Sequence, residues 1–89
     1  MNRIEKKVHP QYFQKIHEGK KNFELRLGDW HCQEGDYLVL REWCPKKQDY
    51  TGRVLEKEIK YVAKFKLDEL FWHRDDIEEH GIQIISLKD

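Results

Sequence analysis

Four ionisable side chains crowd into the run Gly19-Lys20-Lys21-Asn22-Phe23-Glu24-Leu25-Arg26. Phe23, Leu25 and Leu27 alternate there with Glu24 and Arg26, and a period of two marks a strand with one apolar and one polar face. The apolar set is expected to turn into a core, leaving Glu24 and Arg26 to project together from the other face, roughly 7 Å apart along the chain. Lys21 stands just before them and joins the same patch, with Lys20 at its border. A cation, an acid and a second cation side by side suit a ligand with both donors and acceptors, such as a nucleobase edge or an amide. On an ordinary solvated strand the same residues would form only an exposed ion pair of ~1 kcal/mol at most.

Aromatic residues supply a second kind of chemistry. Trp30 falls in a turn, Trp43 ends a strand beside a polar loop, and Tyr50 precedes Thr51-Gly52-Arg53. Each could offer a ring on which a base stacks, worth ~1–3 kcal/mol per base, although core packing competes for Trp43. Arg53, just after a glycine, suits a phosphate contact, and Lys46 and Lys47 could add to it. Phe71-Trp72-His73 reads as a helix end packed over the rest of the fold, with a lid or a protein contact as the other uses. Cys32 and Cys44 lack the paired short spacings of a zinc site even with His31 beside them, so no metal is expected.

These groups must be positioned by a small scaffold. Pro10 suits the first helical position with His9 as its cap, and Tyr12, Phe13 and Ile16 form one apolar stripe before Gly19, which predicts a helix over Pro10–Glu18. Strands are expected at Asn22–Leu27, at Tyr37–Trp43 and over the long run Arg53–Phe65, with a bend or bulge near Lys57–Lys60. Leu67–Trp72 and Asp75–Glu79 suit short helices, and Ile82–Leu87 suits a final strand. An open sheet with this many strands leaves two faces to bury, more than 89 residues can cover. The expected fold is therefore mixed α/β and mainly β: a small barrel of about five to six strands with an N-terminal helix and short C-terminal helical segments.

Eighty-nine residues form one domain, 1–89, since typical domains run to ~100–150. Leu, Ile, Val and Phe account for 23 of the 89, above the roughly 20% below which chains stay disordered. Seventeen basic side chains balance seventeen acidic ones, which disfavours coating of bulk nucleic acid by charge alone. The charges are graded, however: residues 1–26 hold seven Lys/Arg against three Asp/Glu, and residues 54–89 hold six against nine. No stretch approaches the ~18 apolar residues of a membrane span, and Met1–Lys7 is not followed by an apolar leader. A cytoplasmic protein without a membrane partner is expected.

Gly19-x-Lys21-x-x-Glu24-x-Arg26 followed by Gly35-Asp36-x-Leu38 resembles the signature of ASCH domains, small β-barrels of the PUA-like superfamily. His9-Pro10-x-x-Phe13, Phe23-Glu24-x-Arg26, Arg41-Glu42-Trp43-x-Pro45 and Tyr50-Thr51-Gly52-Arg53 resemble the DUF3850 family within that group. The resemblance implies a barrel whose cleft, lined by Lys21, Glu24 and Arg26, binds RNA, a nucleotide or a modified nucleoside without a cofactor. Trp30 departs from it, standing where members of the family commonly carry a basic residue. One branch of the superfamily hydrolyses N4-acetylcytidine, pairing a Lys at the place of Lys21 with a Thr where this chain has Glu24. A carboxylate does not replace a hydroxyl as nucleophile or proton shuttle without changing the chemistry, and Glu69, Glu78 and Glu79 compete for the role of the distant acid. The leading expectation is thus a binding module using Lys20, Lys21, Glu24, Arg26, Trp30, Trp43, Tyr50 and Arg53. A small amidohydrolase with Lys21 and Glu24 as catalytic groups, and a protein-interaction domain, are the alternatives.

Overall fold

The β-forming run beginning at Tyr37 becomes the central strand of the protein, flanked on both sides. The computed structural model describes residues 1–88. Its elements are β1 (Arg3–Val8), α1 (Pro10–His17), β2 (Tyr37–Cys44), β3 (Asp49–Glu58), a 3-10 turn (Leu67–Glu69) and α2 (Arg74–His80). The three strands lie in the order β1-β2-β3. β1 runs parallel to β2, which needs a long crossover, and residues 9–36 supply it with α1. β2 and β3 form an antiparallel hairpin.

Helix α1 starts as its composition requires. His9 is extended at the cap, Pro10 takes the first helical position, and Phe13 and Ile16 are buried. Gly19 leaves the helix at φ 78°, a conformation that costs glycine little. The turn brings the N–H groups of Lys20 and Lys21 to the Lys15 carbonyl at 2.9 and 3.1 Å. Phe13 and Ile16 close over Val8 and Leu40, with Leu38 and Leu55 packed alongside. Register puts Ile4, Lys6 and Val8 of β1 beside Leu38, Leu40 and Glu42 of β2, so this face of the sheet meets the helix. Arg3, Glu5 and Lys7 share the other face with Tyr37, Val39 and Arg41.

Asp36 ties the ends of the three strands together. It is 1% exposed, and its carboxylate accepts the N–H of Asn2 at 3.0 Å and of Gln33 at 3.1 Å. The Tyr37 N–H donates to the Asn2 carbonyl, and the Ile59 N–H donates to the Asp36 carbonyl at 2.7 Å. Gly35, at φ 92°, allows the turn that aims this side chain inward. The Gly35-Asp36 pair is therefore a structural knot at the start of β2.

Several expectations are corrected. The sheet of the described residues is open and three-stranded, not a closed barrel of five to six strands. Asn22–Leu27 forms no strand, and its polarity is inverted: Leu25 and Leu27 are 69% and 78% exposed, while the Glu24 side chain is only 16% exposed. The physical reason lies in two side chains that occupy ladder acceptors. Lys21 Nζ takes the Phe23 carbonyl at 2.7 Å, and Arg26 Nη2 takes the Lys7 carbonyl on the outer edge of β1 at 2.8 Å. A side chain bonded to backbone in this way competes with strand pairing.

The long strand expected to Phe65 ends at Glu58, and the register irregularity falls between Arg41 and Trp43, not at Lys57–Lys60. The polar loop expected after Trp43 shrinks to a tight hairpin turn, with Gln48 at φ 52° and its amide donating to the Pro45 carbonyl. Ile82–Leu87 forms no strand, and Ile82, Ile84, Ile85 and Leu87 stay exposed. The only helical residues expected within Leu67–Trp72 and found are Leu67–Glu69, whereas α2 extends one residue beyond Asp75–Glu79 at each end. The radius of gyration is 15.0 Å, against ~12 Å for a compact chain of this length, because the core draws no side chain from beyond Leu55 among the described residues. No helix among the described residues is long and apolar enough to cross a membrane.

Candidate functional site

The turn after α1 delivers Lys21 to the end of β1, and the extended segment that follows folds Glu24 and Arg26 back against it. Glu24 is the centre. One carboxylate oxygen accepts Lys21 Nζ at 3.0 Å and the other accepts Arg26 Nε at 2.9 Å. The Lys21 and Glu24 side chains are 17% and 16% exposed, and that of Arg26 30%. Lys21 Nζ also lies 4.6 Å from the centre of the Phe23 ring and 5.8 Å from that of Tyr12. Its ammonium is thus held by a carboxylate, a carbonyl and an aromatic wall.

These residues border a groove of about 430 Å³, whose lining includes Lys7, His9 and Tyr12 besides Lys21, Glu24 and Arg26. One carboxylate meets two cations there, Lys21 and Arg26, so the cluster keeps an excess of positive charge. The two oxygens of Glu24 are occupied by donors, while the guanidinium of Arg26 still has donors to spare. Such a site can accept an anion or carbonyl on its cations and present the carboxylate edge to a donor. Its size lies within the range of small-ligand sites.

The remaining sequence-selected residues go elsewhere. Lys20 points toward Glu18 at 3.7 Å and borders a separate hollow of about 570 Å³ that it lines with Gly19 and Asn22, opposite Ser86, Leu87 and Lys88. Trp30 is half-buried, and its ring is covered by Lys6 Nζ at 3.9 Å. Trp43 and Tyr50 meet edge to face, 5.0 Å between centres, on the sheet face away from α1. Arg53 lies over the Phe13 ring, forms an ion pair with Glu42 at 3.3 Å and donates to the Gln14 side chain at 2.9 Å. Glu42 is buried and also accepts the Thr51 hydroxyl at 2.6 Å.

Phe71 and Trp72 pack edge to face on one another and are exposed, rather than covering the sheet. Glu69, Glu78 and Glu79 do not line the groove; Glu78 pairs with Arg74, and Glu79 with His80. Cys32 and Cys44 are free thiols, and no three His, Cys, Asp or Glu among the described residues are grouped to hold a metal ion.

The sequence casts His9 only as a helix cap and Tyr12 only as part of the apolar stripe, although Tyr12 is exposed on the groove, and it does not single out Lys7. Lys7 had a signal in hindsight, as the last cation before an apolar residue and a helix start, but only the register with β2 shows what it faces.

The family described as "Domain of unknown function (DUF3850)" matches residues 5–71. The chain belongs to the DUF3850 family. The match takes in the core, the Lys21–Glu24–Arg26 cluster and the β2–β3 hairpin, and it stops before α2. An "Uncharacterized 12.9 kDa protein in GpA 3'region" of Escherichia phage P2 is 37% identical over 78 residues, covering 88% of this chain and 66% of that protein. The DUF3850 chain here therefore spans just under two thirds of the length of that relative. No solved structure matches it.

Proposed function

We propose that this DUF3850 chain is an ASCH-like binding module that takes an RNA segment or nucleotide in the groove beside Glu24. The supporting observation is the closed cluster of Lys21, Glu24 and Arg26, three residues of one short segment that meet within 3.0 Å contacts on the wall of a ligand-sized groove. Arg26 and Lys21 favour phosphate or carbonyl oxygens, the Glu24 edge favours an exocyclic amine, and Tyr12 and Phe23 offer apolar contact. Two free thiols accord with work in a reducing cytoplasm. Zero net charge accords with weak attraction to bulk nucleic acid and with selectivity for what fits the groove.

The test is a titration of the protein with nucleoside monophosphates at low salt, followed by tryptophan fluorescence and calorimetry. Saturable binding that Arg26→Ala weakens tenfold or more supports the proposal. Equal, unsaturable responses from the wild-type and Arg26→Ala proteins overturn it.

A further inference from the structure

The sheet face that α1 leaves uncovered is not uniform. At the end formed by Tyr37 and the close of β3 it carries Glu56 and Glu58, bonded to Arg3 and Tyr37 respectively. At the other end it carries two cations laid on two aromatic rings. Lys7 Nζ is 3.8 Å from the centre of Trp43 and 5.8 Å from that of Tyr50, and the Arg41 guanidinium is 3.7 Å from that of Tyr50. The register irregularity between Arg41 and Trp43 re-aims the tryptophan toward its partner Tyr50, as bulges do. Glu5 approaches Arg41 only at 4.0 Å, so these charges rest on rings more than on carboxylates and stay open to an incoming anion.

Lys7 joins this cluster to the groove. It lines the groove, its carbonyl accepts Arg26 Nη2 at 2.8 Å, and its ammonium belongs to the cation–aromatic pair on the sheet. The groove and the cation–aromatic cluster therefore adjoin at one residue, whose backbone meets the first and whose ammonium meets the second. From this we infer that Lys7, Arg41, Trp43 and Tyr50 form a second nucleotide subsite, so that the ligand is a single-stranded polynucleotide running from the groove onto the β2–β3 end of the sheet. The inference rests on the nucleotide reading of the groove and extends it. The outer plane of the Arg41 guanidinium gives a base its stacking partner, and the Trp43 and Tyr50 rings give it an apolar border. Lys7 and Arg41 take the phosphate between the two units, and the acidic far end of the face repels the backbone and sets its direction.

Length dependence decides it. Fluorescein-labelled uridine mononucleotide, dinucleotide and tetranucleotide, with deoxyuridine counterparts, are titrated by anisotropy at low and moderate salt. The expected result is a dinucleotide bound roughly tenfold or more tighter than the mononucleotide, a gain that Arg41→Gln and Tyr50→Leu each reduce while mononucleotide binding stays unchanged. A steeper salt dependence for the dinucleotide is expected with it. Preference between the uridine and deoxyuridine series tells RNA from DNA, and the length effect in either supports the path. Mononucleotide binding without any gain on lengthening, or a gain untouched by both variants, overturns the second subsite alone. Failure of every length to bind overturns it together with the groove reading. Circular dichroism of both variants confirms that the fold persists, and Arg41, on the exposed face, is the variant that decides if Tyr50→Leu unfolds.

Discussion

Arg26 reaches across nineteen positions of sequence to donate from Nη2 to the Lys7 carbonyl at 2.8 Å, while its Nε holds Glu24 at 2.9 Å. One planar guanidinium thus locks the segment after α1 to the edge of β1. A lysine has neither the fork nor the reach to make both bonds. Arg26→Lys is expected to weaken nucleotide binding about tenfold while lowering stability by only ~1 kcal/mol, because both bonds are partly solvated. Calorimetric titration beside urea denaturation checks the split.

The core has four buried apolar side chains among the described residues, of which Phe13 is the largest. Phe13→Ala is expected to cost ~3–5 kcal/mol, a large part of the ~5–15 kcal/mol that holds a domain together. It also removes the ring beneath Arg53. Urea denaturation followed by circular dichroism should show a variant close to unfolding at room temperature.

The backbone N–H of Asn2 and, with it, that of Gln33 hold the Asp36 carboxyl below the usual carboxylate range, against the opposing effect of burial. A lowered native pKa means stability that is fully present above the unfolded-chain value of ~3.9 and is lost as pH falls through the native value. Asp36→Asn is expected to abolish that part of the acid transition. It also lowers stability at neutral pH, since an amide cannot accept at both positions. Denaturation midpoints measured across the acid range give the comparison.

Tyr37 behaves in the opposite sense. Its hydroxyl donates to Glu58 at 3.1 Å, and that bond, with the nearby carboxylate charge, raises its pKa. Stability from this pair is present below the unfolded-chain value of ~10 and is lost as pH rises through the native value. Glu58→Gln should lower the alkaline midpoint of the tyrosine absorbance change and flatten the alkaline loss of stability.

Arg53, the sequence's phosphate candidate, lies against Glu42, Gln14 and Phe13. Removing it leaves the buried Glu42 carboxylate with the Thr51 hydroxyl as its remaining side-chain partner. Arg53→Ala is expected to cost ~1–2 kcal/mol after allowing for the exposure of the guanidinium, with little change in mononucleotide affinity. Paired melting and titration measurements separate the two effects.

Local order was legible where neighbours in sequence are also neighbours in space. Pro10 opened a helix, Phe13 and Ile16 buried one stripe, and Tyr37–Cys44 became a strand, because caps and periodicity act within a few residues. The alternation in Phe23–Leu27 misled, since the same period can point either way and nothing local says which face meets the core. Lys21 and Arg26 settled the matter by bonding to backbone acceptors that a ladder needs. Closure of the sheet was equally beyond a local pattern: it depends on whether Asn22–Leu27, Ile59–Phe65 and Ile82–Leu87 find edges to join, and β1's edge is met by Arg26.

The residue types of the cluster, and their spacing, came from sequence alone, because a cation, an acid and a cation within six positions cannot be held far apart by a short chain. Their mutual contacts came from the fold. Hydrogen bonds demand short distances and set directions, so only the placement of β1 beside the turn after α1 could bring the Lys7 carbonyl to Arg26 and set Lys7 between the groove and the rings of Trp43 and Tyr50.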